Sequence, residues 1–404
     1  MGFLEILKDR NIRLLWLGSR VSVSGNVIFT IALNWTIFVI SHSLILVSVA
    51  VAFIIIPYVA FGPLAGNILD RHNKVRITSL ALYSQGLIVI LFAILYILGM
   101  FFIPIILTGV FILNTIGQIP ANAVDVLIPR LTSKENLGTT NSLFSLGANI
   151  TQVAGFGLGG IIIALFGAGL PIIYDAATFF FGALLIGLIN FEDDASIRAR
   201  STKKFAEQFK IGLNWMRGNK LIIELLFANL ISLAFSGILE PLYVAYSSSI
   251  SGGEAYAYGA ILTSTTVGSL FASFLIGRVN IRNDSGIIVI ISLSILGIFT
   301  VFLGLFPVLL LALVFTFFIG FSYSMIIIPT SSIIQAVSGS DKLGLINATF
   351  FSLIAVAPIV SELTAGYLAN FVSVRTLIVV PGFILLLTSV LLFLSLKVLR
   401  EVKF

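Results

Sequence analysis

Arg20, Asp125, Glu224, Glu240 and Glu362 stand inside long apolar runs of this 404-residue chain. A charge in hydrocarbon is costly unless it is paired or hydrated, so each marks a candidate site for handling a charged or protonated species. Glu362, in APIVSELTAGYL, falls near the middle of its run. Glu240, in SGILEPLYVAYS, precedes Pro241, and a proline frees a carbonyl and kinks a helix. A carboxyl held away from water favours its neutral form and can take up and release a proton. Glu240 and Glu362 are therefore the candidate proton-coupling groups. Glu224 lies close to the start of its run and reads as hydrated near the interface. Asp175 reads as a helix cap.

Polar side chains without charge also fall inside the runs: Asn34, Gln118, Asn122, Asn149, Gln152, Asn229 and Gln335. They are candidates to line a polar cavity. Amides of this kind also join helices by hydrogen bonds, and both roles stay open for each. The chain has no cysteine and two histidines, His42 and His72, both in expected loops. Disulfides, thiolate metal sites and a cysteine nucleophile are excluded. No Ser/His/Asp constellation, HExxH or metal-ligand cluster is present, so an enzyme, a metal site and a cofactor are not expected.

These residues need elements to hold them. Of all residues, 58% are hydrophobic and 10% charged, too apolar for a soluble chain. Continuous runs of about 18 residues or more are each long enough to cross the hydrocarbon core as a helix. The runs do not alternate, which excludes a barrel. Twelve are predicted, at about 13–40, 44–69, 75–98, 102–128, 138–166, 170–191, 219–247, 255–278, 286–306, 308–337, 344–370 and 374–396. All but two of the 23 Lys and Arg fall on one side of that topology; Arg20 and Arg375 are the exceptions. The positive-inside rule then places both termini in the cytoplasm of a cell-membrane protein. The net charge of +6 follows from this asymmetry, and nucleic acid is not an expected partner. The start, MGFLEILKDRNIRLL, shows no removable signal peptide, and Ile6 argues against myristoylation.

The expected fold is all-α and polytopic, with a six-helix half over 1–191, a linker over 192–218 and a second six-helix half over 219–404. The linker carries an acidic and basic stretch. Phe205, Phe209, Leu213 and Met216 then come at spacings of three or four residues, the pattern of an interfacial amphipathic helix. Six spans, a tether and six spans is the layout of a duplicated transporter with its site between repeats.

The densest charge lies between the second and third runs, in GPLAGNILDRHNKVRIT at 62–78. Gly66, Asp70, Arg71, Lys74 and Arg76 resemble the loop signature of the major facilitator superfamily, with Asn73 where that pattern has Gly. A second copy at 276–284 keeps Gly277, Arg278 and Arg282 and lacks the Asp. LWLGSRVSVSGN, VDVLIPRLTSKENLGTTNSLFSL and GFGLGGIIIALFGAGLPIIYDAATF resemble the efflux branch, with its macrolide efflux proteins and siderophore exporters. The run Gly155, Phe156, Gly157, Leu158, Gly159, Gly160 is similar to the antiporter motif of the fifth span, with Phe156 in the place of Pro. Its glycines, Gly155, Gly159 and Gly160, are expected to permit close helix packing.

The resemblance implies that the helices bearing Arg20 and Asp125 face one another, making an ion pair plausible; a structural and a coupling role both stay open. It also implies a conformational latch. Gly62 and Gly66, four apart, form a small-residue face that permits close approach. Asp70 would then meet a helix N-terminus on span eleven of the opposite half. Loop charges that merely set topology are the plainer alternative.

The function expected from residues and resemblance is proton-coupled export of hydrophobic or amphipathic small molecules by alternating access. The expected partners are the substrate, protons and the bilayer, with the chain a monomer. A symporter or facilitator importing a metabolite is the alternative, kept open by Phe156.

Overall fold

The computed structural model describes residues 2–191, 205–278 and 285–400, and these are helical throughout apart from short connections. Twelve helices are long and apolar enough to cross a membrane. Numbered as spans one to twelve, they are Arg10–Ser41, Leu44–Gly62, Lys74–Ile97, Ile103–Leu131, Lys134–Phe166 and Gly169–Gly187, then Lys220–Ser251, Ala255–Arg278, Ser285–Leu305, Leu309–Ser338, Leu343–Leu368 and Val374–Ser395. The acidic and basic stretch at 192–204 and Arg282 lie outside the described residues.

The chain divides into two compact units. One comprises Met1–Ile40 and Phe53–Arg200; the other comprises Ser41–Ala52 and Ser201–Phe404. The first turns of span two thus group with the second unit, where Ser48 fills the space left by Gly366 of span eleven. One of the unit boundaries falls at the connection between spans one and two, where His42 adopts φ of +49°, a left-handed backbone that a short polar turn tolerates.

In the first unit, span one packs through glycines on both sides. Gly182 of span six stands so close that an added Cβ would lie 2.9 Å from the Gly18 carbonyl oxygen. A Cβ at Gly155 would meet Val27 at 2.7 Å, and one at Gly159 would meet Ile31 at 3.0 Å. The glycine run of span five therefore lies against span one. Span five is one continuous helix, Leu137–Phe166, through Phe156.

In the second unit, Gly339 at φ +65° and ψ 155° separates span ten from span eleven. The linker helix, Phe205–Arg217, rests on span eleven, where a Cβ on Gly212 would strike Thr349. Met216 is buried, while Phe209 and Leu213 are half-buried, so one face of the amphipathic pattern meets protein. Arg375, an exception to the charge asymmetry, ties span twelve to the end of span nine. Its Nε and Nη2 donate to the Gly304 and Leu305 carbonyls at 2.8 and 2.9 Å, satisfying acceptors that a helix C-terminus leaves open.

Candidate functional site

The first unit holds a half-open cavity of about 650 Å³. Span one contributes Ser19, Arg20, Ser22 and Asn26 to its wall; span four contributes Asn114, Gln118 and Asp125. Gln85 enters from span three, Asn141 and Ser145 from span five, and Phe179 from span six.

Local chain geometry sets each polar group. Arg20 lies along span five because Gly147 has no side chain: a Cβ there would sit 3.1 Å from Arg20 Cδ and 2.9 Å from Trp16 Nε1. The guanidinium Nε donates weakly to Ser19 Oγ at 3.4 Å, and Nη1 is buried with no hydrogen-bond partner. Gln118 Nε2 donates to the Asn114 carbonyl at 3.1 Å, and Asn114 Nδ2 donates to the Val110 carbonyl at 2.9 Å. Gln85 Nε2 donates to the Leu113 carbonyl at 3.2 Å. The oxygens Gln85 Oε1 and Gln118 Oε1 are left buried and unpartnered. Arg20 and Asp125 share this cavity, but no ion pair joins them. Both charges therefore face the cavity instead of neutralising each other.

The second unit holds the other carboxyls. A Cβ on Gly237 of span seven would stand 2.7 Å from Pro358 Cα and would strike Ser361 Oγ of span eleven. This close approach packs span seven, with Glu240 three residues after Gly237, against span eleven, with Glu362 next to Ser361. Glu240 lies within Coulombic reach of Glu362, Tyr243 and Tyr323. Glu362 is 2% exposed, and its Oε2 has no hydrogen-bond partner.

The remaining candidates are spread more widely. Asn122 donates to the Gln118 carbonyl at 2.7 Å and is not among the residues around the cavity. Asn34 is buried in span one, Asn149 half-buried and Gln152 exposed on span five, and Gln335 exposed on span ten. Asn229 joins two helices: its Nδ2 donates to Thr330 Oγ1 at 2.9 Å. Glu224 is 5% exposed and not hydrated as expected. Its Oε2 accepts the Leu399 N–H at 2.7 Å, and Lys220 Nζ lies 4.0 Å away, because the chain beyond span twelve folds back onto span seven.

Asp175 is not a helix cap. It stands in the second turn of span six, fully buried, with both carboxyl oxygens unpartnered. Gly25 of span one makes the room, since a Cβ there would strike Thr178 Oγ1 and lie 2.6 Å from Asp175 Oδ1.

Around the loop signature, Asp70 is half-buried near the end of the span-two helix, Arg71 and Arg76 are exposed, and Lys74 is buried. Asn73, at φ −61°, caps span three, its side chain accepting the Arg76 N–H at 3.0 Å. Gly62 and Gly66 lie on the same helix, with open space where a Cβ would stand at either. In the second copy, Arg278 stacks 4.2 Å above the Phe274 ring.

Gln85, Asn26, Asn114 and Gly147 are the functional candidates that sequence reasoning missed. Asn114 and Gln118, spaced by four, share a helix face with Asp125 seven further on. That spacing was the available signal.

Residues 3–403 match the family described as transmembrane secretion effectors. The chain is 24% identical over 265 residues to the Staphyloferrin A transporter of Staphylococcus aureus, covering 63% of this chain and 64% of that protein, a little under two thirds. It is 23% identical to the putative bacilysin exporter BacE of Bacillus subtilis, over 66% of each. The fold is that of the nucleoside transporter NupG, with a TM-score of 0.73 at 13% identity over 97% of this chain and 99% of that one. A bacterial homologue of the human lysosomal transporter Spinster, inward-facing and occupied, gives 0.74 at 12% identity over 96% of both chains. With twelve spans and a match along nearly its whole length, the chain belongs to the transmembrane secretion effector family of major facilitator superfamily transporters.

Proposed function

We propose that this transporter exports hydrophobic or amphipathic small molecules across the cell membrane in exchange for protons, by alternating access. The observation that carries the reading is the cavity of about 650 Å³ in which Arg20 and Asp125 stand unpaired among amides and Phe179. Volumes of about 300–1,000 Å³ with a few polar anchors suit a single small ligand. The direction is supported by the family description and by the exporter named among the relatives. Both termini lie in the cytoplasm on this reading, from the charge asymmetry.

Glu240 and Glu362 carry the coupling protons. Two carboxyls on facing helices cannot both stay ionised in an apolar setting without a counter-charge. Asp70, with Arg71, Lys74 and Arg76, biases the alternating-access equilibrium. A second reading, import by symport or facilitation, is favoured by the unbroken helix of span five, which lacks the kink that a proline at Phe156 would introduce.

The test is reconstitution in proteoliposomes with an imposed pH gradient. Lipophilic cations, macrolides, neutral amphiphiles and ampholytes are loaded, for the wild type, Glu240→Gln and Glu362→Gln. Gradient-dependent movement that either carboxamide abolishes supports proton-coupled export. Gradient-independent movement, unchanged in both variants, overturns the coupling and favours the facilitator.

A further inference from the structure

We infer that the first-unit cavity selects an ampholyte, a molecule with a carboxylate for Arg20 and an ammonium or N–H-rich end for Asp125 of span four. This rests on the transporter reading and names its substrate class.

The walls of the cavity differ in hydrogen-bonding sense. Gln85, Asn114 and Gln118 each direct their NH2 group at a backbone carbonyl. Reversing any of these amides would set oxygen against oxygen, so the carbonyl ends are the free ends. Gln85 Oε1 and Gln118 Oε1 are buried acceptors without partners. Asp125, seven residues beyond Gln118, adds an acceptor-only carboxylate. Span four therefore presents one exposed acceptor to the cavity, the Asp125 carboxylate, with the two amide oxygens buried in the wall behind it. Span one presents the opposite: Arg20 has donors only, and its buried Nη1 is unmet.

Each ligand class meets this polarity differently. A neutral apolar molecule leaves all of these groups unmet, and a buried unmet group is costly. A cation satisfies Asp125 but stands against Arg20. An anion satisfies Arg20 and repels Asp125. A molecule with both ends satisfies both walls, and a site built on hydrogen bonds rejects the analogue that lacks the partner group. The missing Arg20–Asp125 pair leaves both charges to the ligand.

Trp16 provides the readout, since its indole lies beside Gly147 and Arg20. The full chain carries three tryptophans; Trp35→Phe and Trp215→Phe leave Trp16 as the reporter. The probes are para-aminomethyl-phenylpropionate, its methyl ester, which is a cation, and its N-acetyl derivative, which is an anion. Binding to the protein in proteoliposomes is read by Trp16 fluorescence, and flux of the labelled parent is tracked under a pH gradient. The zwitterion is expected to bind at least about tenfold more tightly than either blocked form, from one charge-assisted hydrogen bond each. Arg20→Gln should remove the preference over the ester alone, and Asp125→Asn the preference over the N-acetyl form alone. Equal binding of the ester or the N-acetyl form to the wild-type protein overturns the inference, whatever the variants do. Selective binding without flux upholds the site and overturns the export reading. Gradient-driven flux of a lipophilic cation without any charge preference does the reverse.

Discussion

The two units handle buried charge in opposite ways. In the first, a cation and a carboxylate share a cavity without pairing, and amide oxygens are buried in its walls. In the second, Glu240 and Glu362 stand on spans seven and eleven within electrostatic reach of each other, with tyrosines nearby and no cation beside them among the described residues. A charge-balanced cavity suits a ligand with charges of its own. An all-acid cluster in an apolar setting suits a proton, the smallest counter-charge that can enter it. On the proposed function, recognition falls to the first unit and coupling to the second.

The largest effect should come from the second unit. Glu362→Gln is expected to abolish accumulation against a gradient while Trp16-detected binding stays within about twofold, the spread of an unperturbed site. Loss of binding together with coupling would break the division of labour. Gly147→Leu attacks the first unit instead, driving a side chain into the seat of Arg20. Overpacking costs about 1–3 kcal/mol, which should appear as probe binding weakened by about tenfold, with proton coupling per molecule moved unchanged.

Arg375→Gln removes two hydrogen bonds at the end of span nine. It should lower stability by about 1–3 kcal/mol, read as a lower Tm, without altering the charge preference of the first unit. Asp175→Leu tests the unpartnered carboxyl against Gly25 and should raise Tm by a few degrees, since an unmet buried polar group costs about 1–3 kcal/mol. A fall in Tm would point to a partner that Asp175 meets in another conformation. The smallest effect belongs to Asp70→Asn. If Asp70 biases alternating access through a helix dipole worth about 0.3–1 kcal/mol, the inward to outward ratio should shift two- to fivefold; an unchanged ratio and unchanged transport would leave the loop charges as topology signals alone.

Much of the architecture was legible from composition. All twelve spans stand where continuous apolar runs placed them, because backbone groups in hydrocarbon leave a helix little alternative. The linker helix was legible from its spacing, and Gly155 and Gly159 from the need for close packing. The residues inside the spans were legible only by type. Of the seven amides singled out, Gln118 lines the first-unit cavity, whereas Asn229 bonds Thr330 between helices. Glu224 lay near a helix end and read as hydrated, yet residues 175 positions further on fold back to cover it.

By itself the sequence determined the consequences of transfer to hydrocarbon: the number of spans, their limits and the class of fold. Those depend on a helix and its solvent, and on nothing further along the chain. The rotation of each helix about its axis was decided only by tertiary packing. Glycines such as Gly147, Gly25 and Gly237 let particular neighbours approach, and that set Arg20 at a cavity, Asp175 in a buried seam and the Glu240 helix against that of Glu362. A helix in lipid can bury a polar side chain against any of several partners, and only the packed bundle selects one.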